Sequence, residues 1–228
     1  MSEIRWHLFP DAQSVANETV RRISKAARHA VEHRNEFHLV LAGGSTPRLV
    51  YRQLGASGAD FSRWHIYLGD ERCLDPDDSE RNSLMIRNDW LDQAAIPSAN
   101  IHWIPAELGP EQGASRYESE ISSALPFDLV MLGMGEDGHT ASLFPGQQHD
   151  QSRLVVPVYQ SPKPPPERVS LNYSALSQTG ELLVLVTGEG KRGAVEAWRS
   201  NADLPVAALR CEAGVDVLLD REAAGELV

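Results

Sequence analysis

The residues best suited to chemistry lie in one segment, residues 127–146. An apolar run at residues 127–132 is typical of a buried strand, and a glycine-rich turn with a group of polar side chains follows it. Asp137 and His139 belong to that group. A carboxylate that orients an imidazole and stabilises its protonated form is what general-base catalysis near neutral pH requires. We therefore predict that His139 is a general base and that Asp137 orients it.

The glycines of the same turn have a predicted role of their own. Gly133, Gly135 and Gly138 leave the backbone open, so their amides are candidate donors to an oxyanion. Their spacing also matches the dinucleotide-binding fingerprint, which needs a helix directly after the third glycine and an acidic residue roughly 20 positions on. Pro145 ends any helix early, and residues 156–160 contain no acid. A dinucleotide site is disfavoured on both counts.

A second glycine turn predicts an anion-binding site. Gly43 and Gly44 let backbone amides approach a ligand closely, while Pro47 suits the first turn of a helix whose positive end would face that ligand. Ser45 and Thr46 add hydroxyl donors. The Gly-Lys-Ser/Thr of a nucleotide P-loop does not follow at the required spacing. The alternative is a helix cap without a ligand.

Cationic residues near the ends of predicted strands extend this anion site. Arg72 and Lys191 each follow a strand, and singly each is typical of a surface charge. The carboxyl ends of parallel strands meet at one edge of a sheet, so we expect both residues to join residues 43–46 around a phosphate dianion. Arg168 begins a strand, and the pattern leaves its place at that edge open.

The elements that must position these residues alternate along the chain. Proline-rich residues 161–166 are expected to be a stiff, extended connector. Strands that alternate with helices predict an α/β fold with parallel pairing and helices on both faces of the sheet. We expect a single catalytic domain over residues 1–228. Helices are predicted at residues 12–33, 47–54, 81–91, 110–125 and 191–199, and strands at residues 37–42, 64–68, 101–104, 127–132, 154–159, 168–172, 181–187, 206–209 and 215–219.

Composition and charge exclude several classes of protein. A net charge of −11 argues against a general nucleic-acid or anionic-membrane surface, which needs a basic face. No run approaches the roughly 18 apolar residues of a membrane span, and the amino end lacks a signal-peptide pattern. We expect a cytoplasmic protein that binds neither nucleic acid nor membrane. Cys73 and Cys211 have no metal or redox spacing, which predicts free thiols.

Two other chemistries have weaker support in the sequence. A metal site built from His139, His149 and Asp150 lacks a recognised ligand spacing. Thiol catalysis by Cys73 needs a partner histidine, and the sequence does not place one beside it. Neither is predicted.

Several motifs resemble those of the 6-phosphogluconolactonases. The most specific is Asp-Gly-His-Thr-Ala-Ser-Leu-Phe-Pro, from Asp137 onward. The resemblance covers nearly the whole chain and implies a three-layer α/β/α fold with a mainly parallel, Rossmann-like sheet and a small additional lobe. That fold is shared with glucosamine-6-phosphate deaminases and ribose-5-phosphate isomerases. Ser170 and Asn172 depart from the threonines of many members. The motifs are residues 41–47, 69–72, 132–145, 168–171 and 188–191.

The resemblance also implies an activity. That activity is hydrolysis of 6-phosphogluconolactone to 6-phosphogluconate, the second step of the oxidative pentose phosphate pathway, with no metal and no organic cofactor. The expected partner is a small sugar-phosphate lactone, and the chain is expected to be a monomer or a small homo-oligomer. The residues expected to bind substrate or its phosphate are Gly43, Gly44, Ser45, Thr46, Asp70, Arg72, Arg168 and Lys191.

Two rival functions remain open at this point. A sugar-phosphate isomerase or deaminase on the same fold needs a base that moves a proton between adjacent carbons. The deaminases carry a glutamate in an Asn-Glu-Pro run after the Gly-His turn, whereas residues 143–145 here are Leu-Phe-Pro. A noncatalytic sugar-phosphate sensor would keep the anion site and dispense with His139.

Overall fold

The computed structural model describes residues 2–225. No helix within these residues is both long and apolar enough to cross a membrane. The strands are β1 (Ile4–Phe9), β2 (Phe37–Leu41), β3 (Trp64–Leu68), β4 (Asp70–Arg72), β5 (Ile101–His102), β6 (Phe127–Gly133), β7 (Val155–Val158), β8 (Arg168–Leu171), β9 (Thr179–Val186) and β10 (Val215–Asp220). The helices are α1 (Ala12–Arg34), α2 (Ser45–Ala56), α3 (Asn82–Ile86), α4 (Pro110–Ile121), α5 (Tyr173–Leu176), α6 (Arg192–Arg199) and α7 (Arg221–Ala224), and α3 continues into a π-helical turn over Arg87–Leu91.

A parallel sheet of seven strands forms the centre of the fold, in the order β1-β10-β9-β6-β2-β3-β5. Neighbouring strands pair in parallel throughout. The central strands β6 and β9 are nearly continuous apolar runs that are buried along most of their length, as expected for a sheet with helices on both faces. The predicted α/β class with a mainly parallel sheet is confirmed.

A smaller antiparallel sheet, in the order β4-β8-β7, lies beside the carboxyl end of β3. Only Gly69 separates β3 from β4. Its amide donates to Leu41 O of β2 at 2.8 Å, and its carbonyl accepts from Leu171 N of β8 at 2.8 Å. One residue therefore ties the two sheets together. This small sheet is the additional lobe that the resemblance implies.

Two buried tyrosines bind the backbone at the carboxyl ends of β2 and β3, next to the site. The Tyr51 hydroxyl accepts from Ala42 N at 3.0 Å and donates to Ala42 O at 2.5 Å. The Tyr117 hydroxyl likewise accepts from Leu68 N at 2.8 Å and donates to Leu68 O at 3.1 Å. Both side chains are almost fully buried, so these bonds satisfy backbone groups that water does not reach. The ends of β2 and β3 are thereby fixed.

The sequence prediction lacks β4, α5 and α7, and it differs at two further elements. Residues 206–209 are predicted as a strand, but residues 206–208 belong to the 3₁₀ turn Pro205–Ala208, and Leu209 caps that turn. Proline at the first position of that turn has no amide to give to a sheet ladder. Strand β1 was not predicted. It is an edge strand with mostly half-buried residues, so it lacks the strong apolar signal of the central strands.

Candidate active site

Asp137 and His139 are in direct contact in the turn that follows β6. The Nδ1 atom of His139 lies 2.5 Å from Oδ1 of Asp137, and the His139 amide donates to the same oxygen at 3.3 Å. Gly135 is required next to them, because a Cβ at that position would collide with the imidazole. The ring also packs on Phe144, with 4.7 Å between ring centroids. The turn therefore brings together the two residues that the sequence pairs.

Burial and the carboxylate act in opposite directions on the His139 proton. Burial lowers the pKa of His139 below its ordinary value, and the hydrogen bond and charge of Asp137 offset part of that shift. For Asp137, burial alone would raise the pKa, but the hydrogen bond from His139 holds it below its ordinary value. At neutral pH the pair therefore consists of a neutral imidazole and an ionised carboxylate, as a general base requires.

The amides of two turn glycines are engaged within the turn itself. Gly135 N donates to His139 O at 2.8 Å, and Gly138 N donates to Gly135 O at 3.1 Å. The hydroxyl of Thr140 closes the turn with a 2.9 Å bond to Gly133 O. That Gly133, Gly135 and Gly138 supply oxyanion donors stays a prediction, although two of the three amides already have backbone acceptors here. These hydrogen bonds close the turn that carries Asp137 and His139.

His139 faces a cavity of about 190 Å³ at the carboxyl ends of β2 and β6. Residues from both sheets and from the loops between them form its wall. They are Ala42, Gly43, Gly44, Asp70, Arg72, Asn82, Gly133, Met134, Gly135, His139, Ala141, Lys163, Arg168 and Lys191.

Four cationic side chains line this cavity: Arg72, Lys163, Arg168 and Lys191. Burial lowers the pKa of Lys191, and the charge of nearby Glu136 opposes that effect. Within residues 2–225, the buried Nε atom of Arg72 has no hydrogen-bond partner. A cavity with this much positive charge in a chain of net charge −11 is suited to a dianion such as a phosphate group.

The antiparallel small sheet explains how Arg168 reaches the cavity. The residue begins β8, but β8 runs antiparallel to β4, and the register places Arg168 opposite Arg72. Its guanidinium donates to the carbonyls of Lys163, Pro164 and Pro165, at 2.9, 3.2 and 3.2 Å respectively. Arg168 is 4% exposed. It therefore holds the proline-rich connector at the cavity as well as adding charge.

Lys163 lines the cavity but is not among the site residues predicted from the sequence. The prolines of residues 161–166 predict a connector alone, although Lys163 is the one cation between Ser161 and Pro166. Its backbone is held by Ser161, whose hydroxyl donates to Lys163 O at 2.8 Å. The sequence feature that could have identified Lys163 is a single cation within a stiff, proline-rich segment.

Asp70 lies in the cavity wall and is held by two polar side chains. Its Oδ2 accepts from the Ser142 hydroxyl at 2.6 Å, and its Oδ1 accepts from Asn82 Nδ2 at 3.3 Å. Asn82 in turn lies so close to Gly43 that a Cβ there would collide with its side-chain oxygen. The charge of Asp70 opposes the effect of burial on the pKa of Arg168. Asp70 thus stabilises the charge of a buried arginine.

The two hydroxyls predicted for the anion site lie elsewhere. Thr46 is 7% exposed, and its hydroxyl is 2.5 Å from that of Thr187. Ser45 lines an adjoining, more open cavity of about 530 Å³, which shares Gly44 and Arg72 with the smaller one. We assign the site to the smaller cavity because it contains His139. The structure therefore places Gly43 and Gly44 in the wall of the smaller cavity. The hydroxyls of Ser45 and Thr46 do not line it.

Known proteins resemble this chain in both sequence and fold. The family described as "Glucosamine-6-phosphate isomerases/6-phosphogluconolactonase" matches residues 10–218. A 6-phosphogluconolactonase of Mycobacterium leprae is 35% identical, over 96% of this chain and 97% of that protein. The crystal structure of 6-phosphogluconolactonase from Thermotoga maritima superposes with a TM-score of 0.88 at 30% identity, covering 96% of this chain and 100% of that one.

A more distant structural neighbour shares the fold alone. It is a monomeric glucosamine-6-phosphate deaminase, with a TM-score of 0.82 at 22% identity over 96% of this chain and 98% of its own. The match to the family model and the identity to the relatives extend over nearly the whole chain. The chain therefore belongs to the glucosamine-6-phosphate isomerase/6-phosphogluconolactonase family.

Proposed function

We propose that this chain hydrolyses 6-phospho-D-glucono-1,5-lactone to 6-phospho-D-gluconate, the second step of the oxidative pentose phosphate pathway, with His139 as the general base. One observation carries the proposal: His139, which is paired with Asp137, lines a single small cavity together with four cationic side chains. The relatives from M. leprae and T. maritima, both named 6-phosphogluconolactonases, support the choice of substrate.

The proposed mechanism uses one imidazole twice. Asp137 engages Nδ1 of His139, so Nε2 is the nitrogen left to remove a proton from water as the water oxygen attacks the lactone carbonyl. The tetrahedral intermediate then collapses, the bond to the ring oxygen breaks, and the imidazolium returns its proton to that oxygen. Asp137 stays ionised and stabilises the imidazolium between the two steps.

In this proposal the cationic side chains have two roles, which are phosphate binding and stabilisation of the oxyanion. Arg72, Arg168 and Lys191 bind the phosphate dianion, and the energy of that contact positions the lactone for attack. Lys163 is close enough to His139 for its charge to lower the His139 pKa. Since the amides of Gly135 and Gly138 are engaged, we assign stabilisation of the oxyanion to the Lys163 ammonium group.

The test is lactone hydrolysis measured above the spontaneous background. His139→Ala should reduce kcat by about 10²–10⁴-fold, the usual contribution of a general base. His29→Ala, a change at an exposed histidine on α1, is the matched control and should keep wild-type rates. Near-normal turnover in His139→Ala would contradict the assignment of the base.

The phosphate contacts are tested with two substrates. Lys191→Ala should raise KM for the phosphorylated lactone and leave the slower hydrolysis of unphosphorylated gluconolactone nearly unchanged, because only the first substrate has a dianion to bind. Equal wild-type rates for the two lactones would contradict a phosphate anchor.

The same assay separates the rival functions. Leu143 and Phe144 are buried at 1% and 2% exposure in the segment where the deaminases carry a carboxylate. We therefore expect no ammonia release from glucosamine 6-phosphate. A sugar-phosphate sensor would bind the lactone and leave its hydrolysis at background. The cytoplasmic location, the single-domain organisation and the monomeric or small oligomeric state stay predictions from the sequence.

A further inference from the structure

A cluster of histidines lies on the central sheet, at the opposite end from His139. His38 of β2, His65 of β3 and His102 of β5 occupy neighbouring parallel strands, with His38 directly beside His65. Their rings stack, with centroid distances of 4.8 Å for His38–His65 and 5.6 Å for His65–His102. A parallel strand rises about 3.3 Å per residue, which puts His38 about 16 Å along the chain from Gly43 of the catalytic cavity. The cluster is separate from the candidate active site.

Glu36 completes a set of ligand atoms with two of these histidines. A carboxylate oxygen of Glu36 and one ring nitrogen each from His38 and His65 all lie within 4.8 Å of one another. The distance from His38 Nε2 to Glu36 Oε1 is 3.3 Å. Zinc bonds of about 2.0–2.1 Å place tetrahedral ligand atoms about 3.3 Å apart. The His38 and His65 rings are stacked at 6°, so the set closes around one ion when side-chain rotation tilts the two rings toward each other. Two imidazoles and a carboxylate suit Zn²⁺ and related transition metals better than Mg²⁺ or Ca²⁺.

The other ring nitrogens are already held by neighbouring side chains. His38 Nδ1 is 3.2 Å from the Tyr67 hydroxyl, and His65 Nδ1 is 3.3 Å from His102 Nε2. His102 Nδ1 is in turn 2.6 Å from Glu120 Oε1. One proton on each Nδ1 satisfies this whole chain and leaves the Nε2 lone pairs of His38 and His65 for a metal. Metal-binding histidines usually donate their second N–H in this way.

Space and charge at the cluster also favour a cation. A cavity of about 390 Å³ lies over it, and among the described residues its lining includes Glu36 and Glu120 but neither lysine nor arginine. The carboxyl-terminal end of α4 reaches the same cavity through Ser119, and Ser123 lines it just after the helix ends. Carbonyl groups at a helix carboxyl end carry partial negative charge. A divalent ion would balance these charges.

We propose that Glu36, His38 and His65 bind one divalent transition-metal ion of the Zn²⁺ class. Tyr67 and His102 are its positioning residues, because each holds the second nitrogen of a ligand imidazole. An ion there links the amino ends of β2 and β3. Lactone hydrolysis does not depend on it, since the catalytic cavity opens at the carboxyl ends of the strands.

The test is calorimetric titration of the untagged full-length chain with Zn²⁺, after a chelator has removed metal and desalting has removed the chelator. We expect one ion per chain. His65→Gln and Glu36→Gln should each weaken binding at least about tenfold, and Tyr67→Phe about tenfold, as for other partners that orient a ligand. Titration with Co²⁺ should give the visible absorption of a tetrahedral ion in the wild type and lose it in His65→Gln.

Two control variants exclude other histidine sites. His29 and His33 form another pair on α1, with ring centroids 4.2 Å apart, and the double variant His29→Gln/His33→Gln should bind Zn²⁺ like the wild type. His139→Gln should bind it equally well. Unchanged lactone hydrolysis in His65→Gln shows that this variant is folded. The proposal is overturned if no ion binds, if His65→Gln binds normally, or if binding is lost in either control.

Discussion

At the scale of single residues, His139 is subject to two opposing influences. Burial lowers its pKa, and Asp137 raises it again through a 2.5 Å hydrogen bond and its charge. The resulting pKa is below the ordinary value of 6.5, so the imidazole is neutral and able to accept a proton at pH 7. The acid limb of kcat/KM is therefore expected below about pH 6.5.

Asp137→Asn tests this balance. Loss of the carboxylate removes the influence that raises the His139 pKa, so the acid limb of kcat/KM should move to lower pH. The value of kcat should fall at every pH, since an amide neither orients the ring in the same tautomer nor stabilises the imidazolium. The measurement is a background-corrected pH profile of the wild type and the variant. A limb that moves to higher pH, or an unchanged kcat, would contradict the assigned role of Asp137.

At the scale of elements, the small antiparallel sheet delivers one side of the site. Pairing of β8 with β4 sets Arg168 beside Arg72, and Arg168 then holds the connector that carries Lys163. The central sheet supplies the other side, through the turns after β2 and β6. The cavity is therefore built at the junction of the two sheets, where Gly69 connects them.

Arg168→Gln should loosen the connector. We expect KM for the phosphorylated lactone to rise about tenfold or more and kcat to change less, because the carbonyls of residues 163–165 lose their shared donor and one cation is lost. Hydrogen exchange at the amides of Ser161 and Lys163 should become faster, since both belong to the loop that Arg168 holds.

Arg168→Lys separates charge from geometry in the same experiment. A lysine keeps the positive charge but lacks the planar fork that reaches several carbonyls. We expect it to restore KM only in part and to leave exchange at Ser161 fast. Full recovery of both readouts in Arg168→Lys would show that charge alone matters and would contradict the positioning role.

At the scale of the whole molecule, the proposed ligand bridges the two sheets. Arg72 and Arg168 come from the small sheet, whereas Lys191 follows β9 of the central sheet. A phosphorylated ligand that contacts all three binds only the folded chain. Its binding therefore stabilises the assembled fold.

The product 6-phosphogluconate should accordingly raise the melting temperature. At a concentration of 100 Kd, binding adds about 2.7 kcal/mol, which corresponds to about 5–10 °C for a chain of this size. Gluconate at the same concentration is the control and should produce a much smaller shift, because it lacks the phosphate. Lys191→Ala should reduce the 6-phosphogluconate shift. Equal shifts from the two ligands would argue against binding through the phosphate.

Much of the fold was predictable because its signals are local. The apolar spacing that predicts a helix at residues 12–33 matches α1 (Ala12–Arg34), which Asp11 caps through a 2.7 Å bond to Ser14 N. The buried strands β6 and β9 each contain a continuous apolar run, at residues 129–132 and 182–186, with a glycine within two residues of its end. Strand β1 escaped prediction because it lacks a strong apolar run and its partner β10 lies at the other end of the described chain.

The sequence by itself determined the Asp137–His139 pair, since two residues in one short turn must be neighbours whatever the rest of the chain does. Only the tertiary structure decided that Arg168 and Lys163 reach the cavity and that the Thr46 hydroxyl turns to Thr187. The histidine cluster of β2, β3 and β5 likewise arises from strand order. The physical reason is the distance along the chain over which each effect acts. Periodicity and turn chemistry depend on residues a few positions apart, whereas strand pairing brings together segments whose separation in the sequence does not predict their contact.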